Sequence, residues 1–196
     1  MLISHPCIQI YVAQSVFRKL EGVNELHTGD QQTLLLILKK ELKAYSVFDL
    51  MKIQAHLEKN FRDLPPEYKQ KLKQKLSEHL FVNFKSILHN DNFHDSQLDM
   101  ELYREFLEWF KSRLDDDMPG MMVLYYLCAL YNIFITKTPL HPEGTPFPGG
   151  FFVEKVEDRY YCPVKDNQKD NEEAICKYCI ARQTDMDTFN SNRMNY

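Results

Sequence analysis

The sequence predicts a mostly α protein: a helical bundle of about six helices carrying a small C-terminal β-hairpin and a Cys-rich cap. Three observations lead there. None of the six glycines lies between Asp30 and Pro119, and the only prolines inside that stretch are the pair Pro65-Pro66, so little in it breaks regular structure. Apolar residues recur every four positions, at Tyr68, Leu72, Leu76, Leu80, Phe84 and Leu88, and again at Leu98, Leu102, Phe106, Phe110 and Leu114. That spacing lays one apolar stripe along a helix. Finally, Pro139, Pro142, Pro146, Pro148 and Pro163 fall in the last third of the chain, where the architecture must change.

Taken in order, the helices are expected over 8–20, 30–44, 47–62, 66–89, 97–114 and 120–136. Ser46 with Asp49 reads as a capping box for the third. Pro65-Pro66 followed by Glu67 suits the first turn of the fourth. Ser96 is placed to cap the fifth, and Pro119 to open the last. The stretch Met121 to Ile135 is apolar apart from Asn132. It is shorter than the ~20 residues that span a bilayer. It also carries Tyr125, Tyr126 and Tyr131, whose hydroxyls suit a protein core. The sequence therefore predicts a buried central helix, with the bundle occupying 1–138.

Thr138 to Gly150 holds four prolines and three glycines and is expected to be an irregular connector, with Gly149-Gly150 at positive φ. Phe151 to Val156 and Arg159 to Cys162 flank Glu157-Asp158 and read as a short hairpin. Asn171-Glu172-Glu173 puts acids at the start of an expected short helix running to Arg182. The segment 139–183 thus forms the cap on the bundle, and 184–196 a polar, frayed tail.

Composition narrows the function classes. The chain has 196 residues, 44% hydrophobic and 27% charged, enough to bury roughly 70% of its unfolded surface as one domain. A net charge of -4 gives no strong nucleic-acid or anionic-membrane signal. A protein partner is the class that the charged helix faces leave open. The first positive side chain is Arg18, and His5, Pro6 and Gln9 interrupt the early apolar residues. The start therefore does not follow a signal peptide. A cytoplasmic protein with reduced thiols is expected.

Three of the five cysteines, Cys162, Cys176 and Cys179, have the spacing Cys-x13-Cys-x2-Cys. Small modules with little apolar mass are often stabilised by a metal. Cys-x2-Cys is a common bidentate half of a zinc site. The expected site is a structural Zn centre of Cys3His type, with His141 as the fourth ligand; Asp166 and Cys128 are the other candidates for that position. Alternatives for the same thiols are packing without metal, an iron–sulfur cluster or a redox pair. His141-x-Glu143 with Cys176-x-x-Cys179 also resembles a zinc deaminase signature. Against it, Gly144, Pro146 and Pro148 cannot continue the required helix, and residue 175 is Ile where that signature has Pro. His89, Asp91, His94 and Asp95 read as a solvated loop, and Lys69, Lys71, Lys73 and Lys75 as a solvated helix surface. No Gly-rich phosphate loop, nucleophile elbow or dinucleotide fingerprint is present.

Thr145-Pro-Phe-Pro-Gly-Gly150, Tyr161-Cys-Pro-Val-Lys-Asp166, Asp170-Asn171 and Cys176-Lys-Tyr-Cys-Ile-Ala181 together resemble an uncharacterised archaeal family known mainly from methanogens. The resemblance implies an anaerobic cytoplasmic protein, gives weight to the iron–sulfur alternative, and supplies no activity or defined site. The expected function is a non-enzymatic binding or scaffold protein with a structural metal. The alternative is a metal-dependent enzyme or iron–sulfur redox protein using the same cysteines.

Overall fold

A computed structural model describes residues 6–25, 30–61, 64–91, 96–114, 120–172 and 174–184. Its helices are α1 (Pro6–Glu25), α2 (Gln31–Leu42), α3 (Val47–Leu57), α4 (Pro66–His89), α5 (Met100–Leu114) and α6 (Gly120–Leu130). A 3-10 turn, Glu58–Phe61, extends α3, and α6 runs on as a π-helix over Tyr131–Thr136. The protein is mostly α, as its periodicity predicts.

Local chemistry sets the helix ends. The Asp30 carboxylate accepts from the Thr33 N–H at 2.6 Å and opens α2. At α3, the Asp49 carboxylate accepts from the Ser46 N–H at 2.9 Å and the Ser46 hydroxyl at 2.7 Å. Pro66 takes the first turn of α4, where its missing N–H leaves no bond unmade. The fifth helix differs from expectation. Its cap is Asp99, which accepts from the Leu102 N–H at 3.1 Å. Ser96 and Gln97 instead hold Asp30 and Gln31 of the α2 start, through a β-bridge and a 3.0 Å main-chain bond. That pairing keeps residues 97–99 extended, so the helix begins later than its apolar stripe.

The bundle packs around α6. Val123, Leu124, Leu127, Leu130, Ile133 and Phe134 are all fully buried, as an element apolar on every side requires. From α5, Tyr103, Phe106 and Phe110 close on it. The Phe106 ring lies edge-on to both Phe134 and Tyr178 at 6.1 and 5.2 Å between centroids, the geometry that aromatic quadrupoles favour.

The cap contains two small sheets. β1 (Pro146–Phe147) pairs antiparallel with β2 (Phe151–Phe152) around Gly149 and Gly150, whose φ values are 85° and 79°. The connector is thus more regular than its prolines suggest, because two residues on each side of the glycine turn still find partners. β3 (Glu154–Val156) and β4 (Arg159–Cys162) form the expected hairpin, with Glu157 left-handed at φ 54°. The helix expected over 171–182 does not form. A 3-10 turn, Ile175–Tyr178, is followed by extended Cys179 and by β5 (Arg182–Gln183), which joins β4 in parallel. The turn sends Ile175 and Tyr178 into the bundle core, and a continued helix would carry Arg182 and Gln183 away from the sheet. No helix among the described residues is long and apolar enough to cross a membrane. His94, Asp95 and 185–196 lie outside the described residues.

Candidate functional site

Parallel pairing of β5 with β4 sets Gln183 opposite Cys162 and draws the Cys176–Cys179 segment alongside the end of β4. The Gln183 amide fixes that turn. It donates to the Pro163 carbonyl at 3.0 Å and accepts from the Asp166 N–H at 2.8 Å. Burial pushes the Cys162 thiol up, opposed by the main-chain N–H groups of Val164 and Lys165 that face its sulfur. Burial also pushes the Cys176 thiol up, to about 11, with Cys179 and then Cys162 adding repulsion. The Cys179 sulfur accepts from the Leu140 N–H at 3.4 Å, and its carbonyl accepts from Lys165 Nζ.

Three thiols thus share one electrostatic neighbourhood in which simultaneous ionisation is disfavoured. A cation relieves that repulsion, and thiolate donors with N–H groups aimed at a sulfur suit zinc or an iron–sulfur cluster. The positions themselves are more open than a bound site. Among the described residues, no group of three or more His, Cys, Asp or Glu side chains is gathered tightly enough to hold a metal ion.

His141 follows Leu140 and faces a second feature, a cavity of about 190 Å³ at the junction of α3, α4, α6 and the connector. Its ring lies edge-on to Phe147 at 5.6 Å. Burial, with His79 adding repulsion, lowers its pKa to about 4. Burial likewise lowers the His79 pKa, partly offset by the Pro139 carbonyl. His79 Nε2 meets the Asn132 amide nitrogen at 3.0 Å, and the Asn132 amide oxygen accepts from Thr138 Oγ1 at 3.3 Å. This polar chain runs from the π-helix into α4. The wide π turn carries it, since the Asn132 carbonyl also accepts from the Lys137 and Thr138 N–H groups. Segments of π-helix often accompany functional sites.

Sequence reading missed His79, Asn83 and Cys128 as cavity residues and took Asn132 only as an interruption. A signal was present: Cys128 and Asn132 are four apart on an apolar helix, as are His79 and Asn83 on α4. Polar groups at helical spacing on buried faces mark a shared lining. Glu143 is exposed in a turn beside Gly144 at φ 75°, which is not the helical setting that the deaminase pattern needs. Asp91 pairs with Lys39 at 2.8 Å, and Lys73 with Glu58 at 2.9 Å.

Residues 30–184, from the cap of α2 to the residue after β5, match the model of a family of uncharacterised proteins conserved in archaea, DUF2115. A UPF0305 protein of Methanocaldococcus jannaschii is 35% identical over 153 residues, covering 76% of this chain and 93% of the relative. One from Methanothermobacter thermautotrophicus is 36% identical over 151 residues, covering 77% and 94%. One from Methanopyrus kandleri is 32% identical over 122 residues, covering 61% and 86%. No solved structure matches. On the extent of these matches, the chain belongs to the DUF2115 family of uncharacterised archaeal proteins.

Proposed function

We propose that this is a non-enzymatic binding protein whose C-terminal cap is stapled by a zinc ion. Cys162, Cys176 and Cys179 supply three thiolates, and His141 supplies the fourth ligand. The observation carrying this reading is the parallel pairing of β5 with β4, which brings the Cys176–Cys179 turn beside Cys162 at the end of β4. The cap gives the staple a purpose. Its separate core buries Val153, Cys162 and Ala181, with Phe147, Tyr160, Val164 and Cys179 packed half-buried against them, a small apolar surface for a sheet to rest on. A closed set of four ligands is a structural centre, whereas a catalytic zinc keeps one position open. Thiolate ligation requires reduced cysteines, so we place the protein in the cytoplasm.

The test is anaerobic purification followed by elemental analysis and a visible spectrum. The expected result is a colourless protein with one zinc per chain, lost in Cys176→Ser and weakened in His141→Ala. A brown protein containing iron and sulfide would replace zinc with an iron–sulfur cluster. Purified protein without any bound metal overturns both.

A further inference from the structure

The cavity beside the cap contains a buried amide that the fold does not use. Asn83 on α4 is 7% exposed and lines the cavity. Among the described residues, its carboxamide makes no side-chain hydrogen bond, and its atoms are not sealed in by protein. Three other polar side chains of the wall are engaged, whereas, among the described residues, no hydrogen bond ties the Tyr125 hydroxyl or the His141 ring, which also line it. Gln54 donates to Glu58 at 3.3 Å, Ser77 donates to the Lys73 carbonyl at 2.7 Å, and Asn132 is held between His79 and Thr138. An amide that opens onto a cavity takes its hydrogen bonds from whatever fills that cavity, so a ligand with matching groups can replace water there.

The wall also restricts what can enter. Leu57, Phe61, Leu80, Ala129 and Leu140 present an apolar surface. Glu58 and Lys73 carry the full charges, and they neutralise one another at 2.9 Å, so no surplus charge awaits an ion. A cavity of about 150 Å³ is filled by benzene; one of 190 Å³ therefore admits a single ring with one small substituent. A carboxamide offers a donor and an acceptor side by side, and its best complement is an edge offering the same pair reversed.

We infer that the cavity binds a small uncharged ring compound bearing an amide-like edge, a primary carboxamide or a lactam, with Asn83 reading that edge through paired hydrogen bonds. This names the ligand class of the binding protein proposed above; the cavity shares His141 with the proposed zinc site, while Asn83 lies apart from the thiols.

The test titrates benzamide, benzoate and toluene into the full-length protein, followed by NMR or calorimetry, with metal content measured on the same samples. Benzamide is expected to bind about tenfold or more tightly than the other two, the discrimination that a paired hydrogen bond provides. Asn83→Leu should lose that advantage while toluene binding is kept. Ala129→Leu should fill the cavity and weaken benzamide binding about tenfold. Failure of benzamide to bind at millimolar concentration, equal binding of benzamide and toluene, or an Asn83→Leu variant that keeps benzamide's advantage overturns the inference. Metal-free protein that still binds benzamide sinks only the zinc staple; metal-loaded protein that ignores benzamide sinks only the ligand site.

Discussion

Bundle and cap are stabilised in different ways. The bundle buries aliphatic and aromatic side chains from all six helices, whereas Val153, Cys162 and Ala181 are the buried residues of the cap's separate cluster. Hydrophobic burial scales with area removed from water, so the bundle's own driving force is much larger than the cap's. The cap borrows its order. Ile175 and Tyr178 enter the bundle core, the Tyr178 hydroxyl donates to the Glu105 carbonyl at 2.9 Å, and the Trp109 indole donates to the Glu172 carbonyl at 2.7 Å.

The sharpest way to break the contrast is to damage the core that serves both. Phe106 is fully buried and meets Trp109, Phe110, Phe134 and Tyr178. Phe106→Ala should cost about 3–5 kcal/mol, read as a lower denaturation midpoint for the whole molecule. If bundle and cap then unfold in separate steps, the cap is more self-sufficient than its core implies.

Next in size is removal of the proposed zinc, which should act on the cap alone. On chelation, amide exchange across 151–183 should rise by about 100-fold, roughly 2.7 kcal/mol of lost local stability, because binding energy at a structural metal is folding energy. Exchange in α6 should stay unchanged. A uniform rise through both regions would show that the metal is not a local staple.

Acid should weaken the junction between the regions by a comparable or smaller amount. In metal-free protein, His141 is held near pKa 4 by burial and by His79, below its ordinary value of 6.5. The unfolded chain therefore binds the proton first, and stability present above pH 6.5 is lost as pH falls through 4. The loss should be on the order of 2–3 kcal/mol. His141→Gln should flatten that part of a stability–pH curve. Smallest is Tyr178→Phe, which removes one bond between cap and α5 and should lower stability by about 1 kcal/mol, measurable by chemical denaturation.

Much of the bundle was legible because burial on one face of a helix leaves a local periodic trace. The fourth helix, 66–89, and the start of the third follow directly from Pro65-Pro66 and Ser46-x-x-Asp49. The helix expected over 171–182 was misread because its opening acids are a weak local preference. Docking of Ile175 and Tyr178 and pairing of Arg182 with Tyr161 override that preference. Cys-x2-Cys with Cys162 was visible as a pattern, yet spacing alone does not state that β5 would run parallel to β4 and bring the segments together. The cavity was not legible, since α3, α4, α6 and the connector each contribute only part of its wall.

By itself, then, the chain's order of apolar, breaker and capping residues determined a helical body followed by a Cys-bearing cap, because those effects act within a few residues along the backbone. Only the tertiary structure decided which polar groups share a space: His79 with Asn132, Asn83 with an open volume, Cys176 with Cys162. Those groupings depend on packing between elements distant in the chain, where small shifts in helix placement decide whether a buried amide meets a partner or an empty cavity.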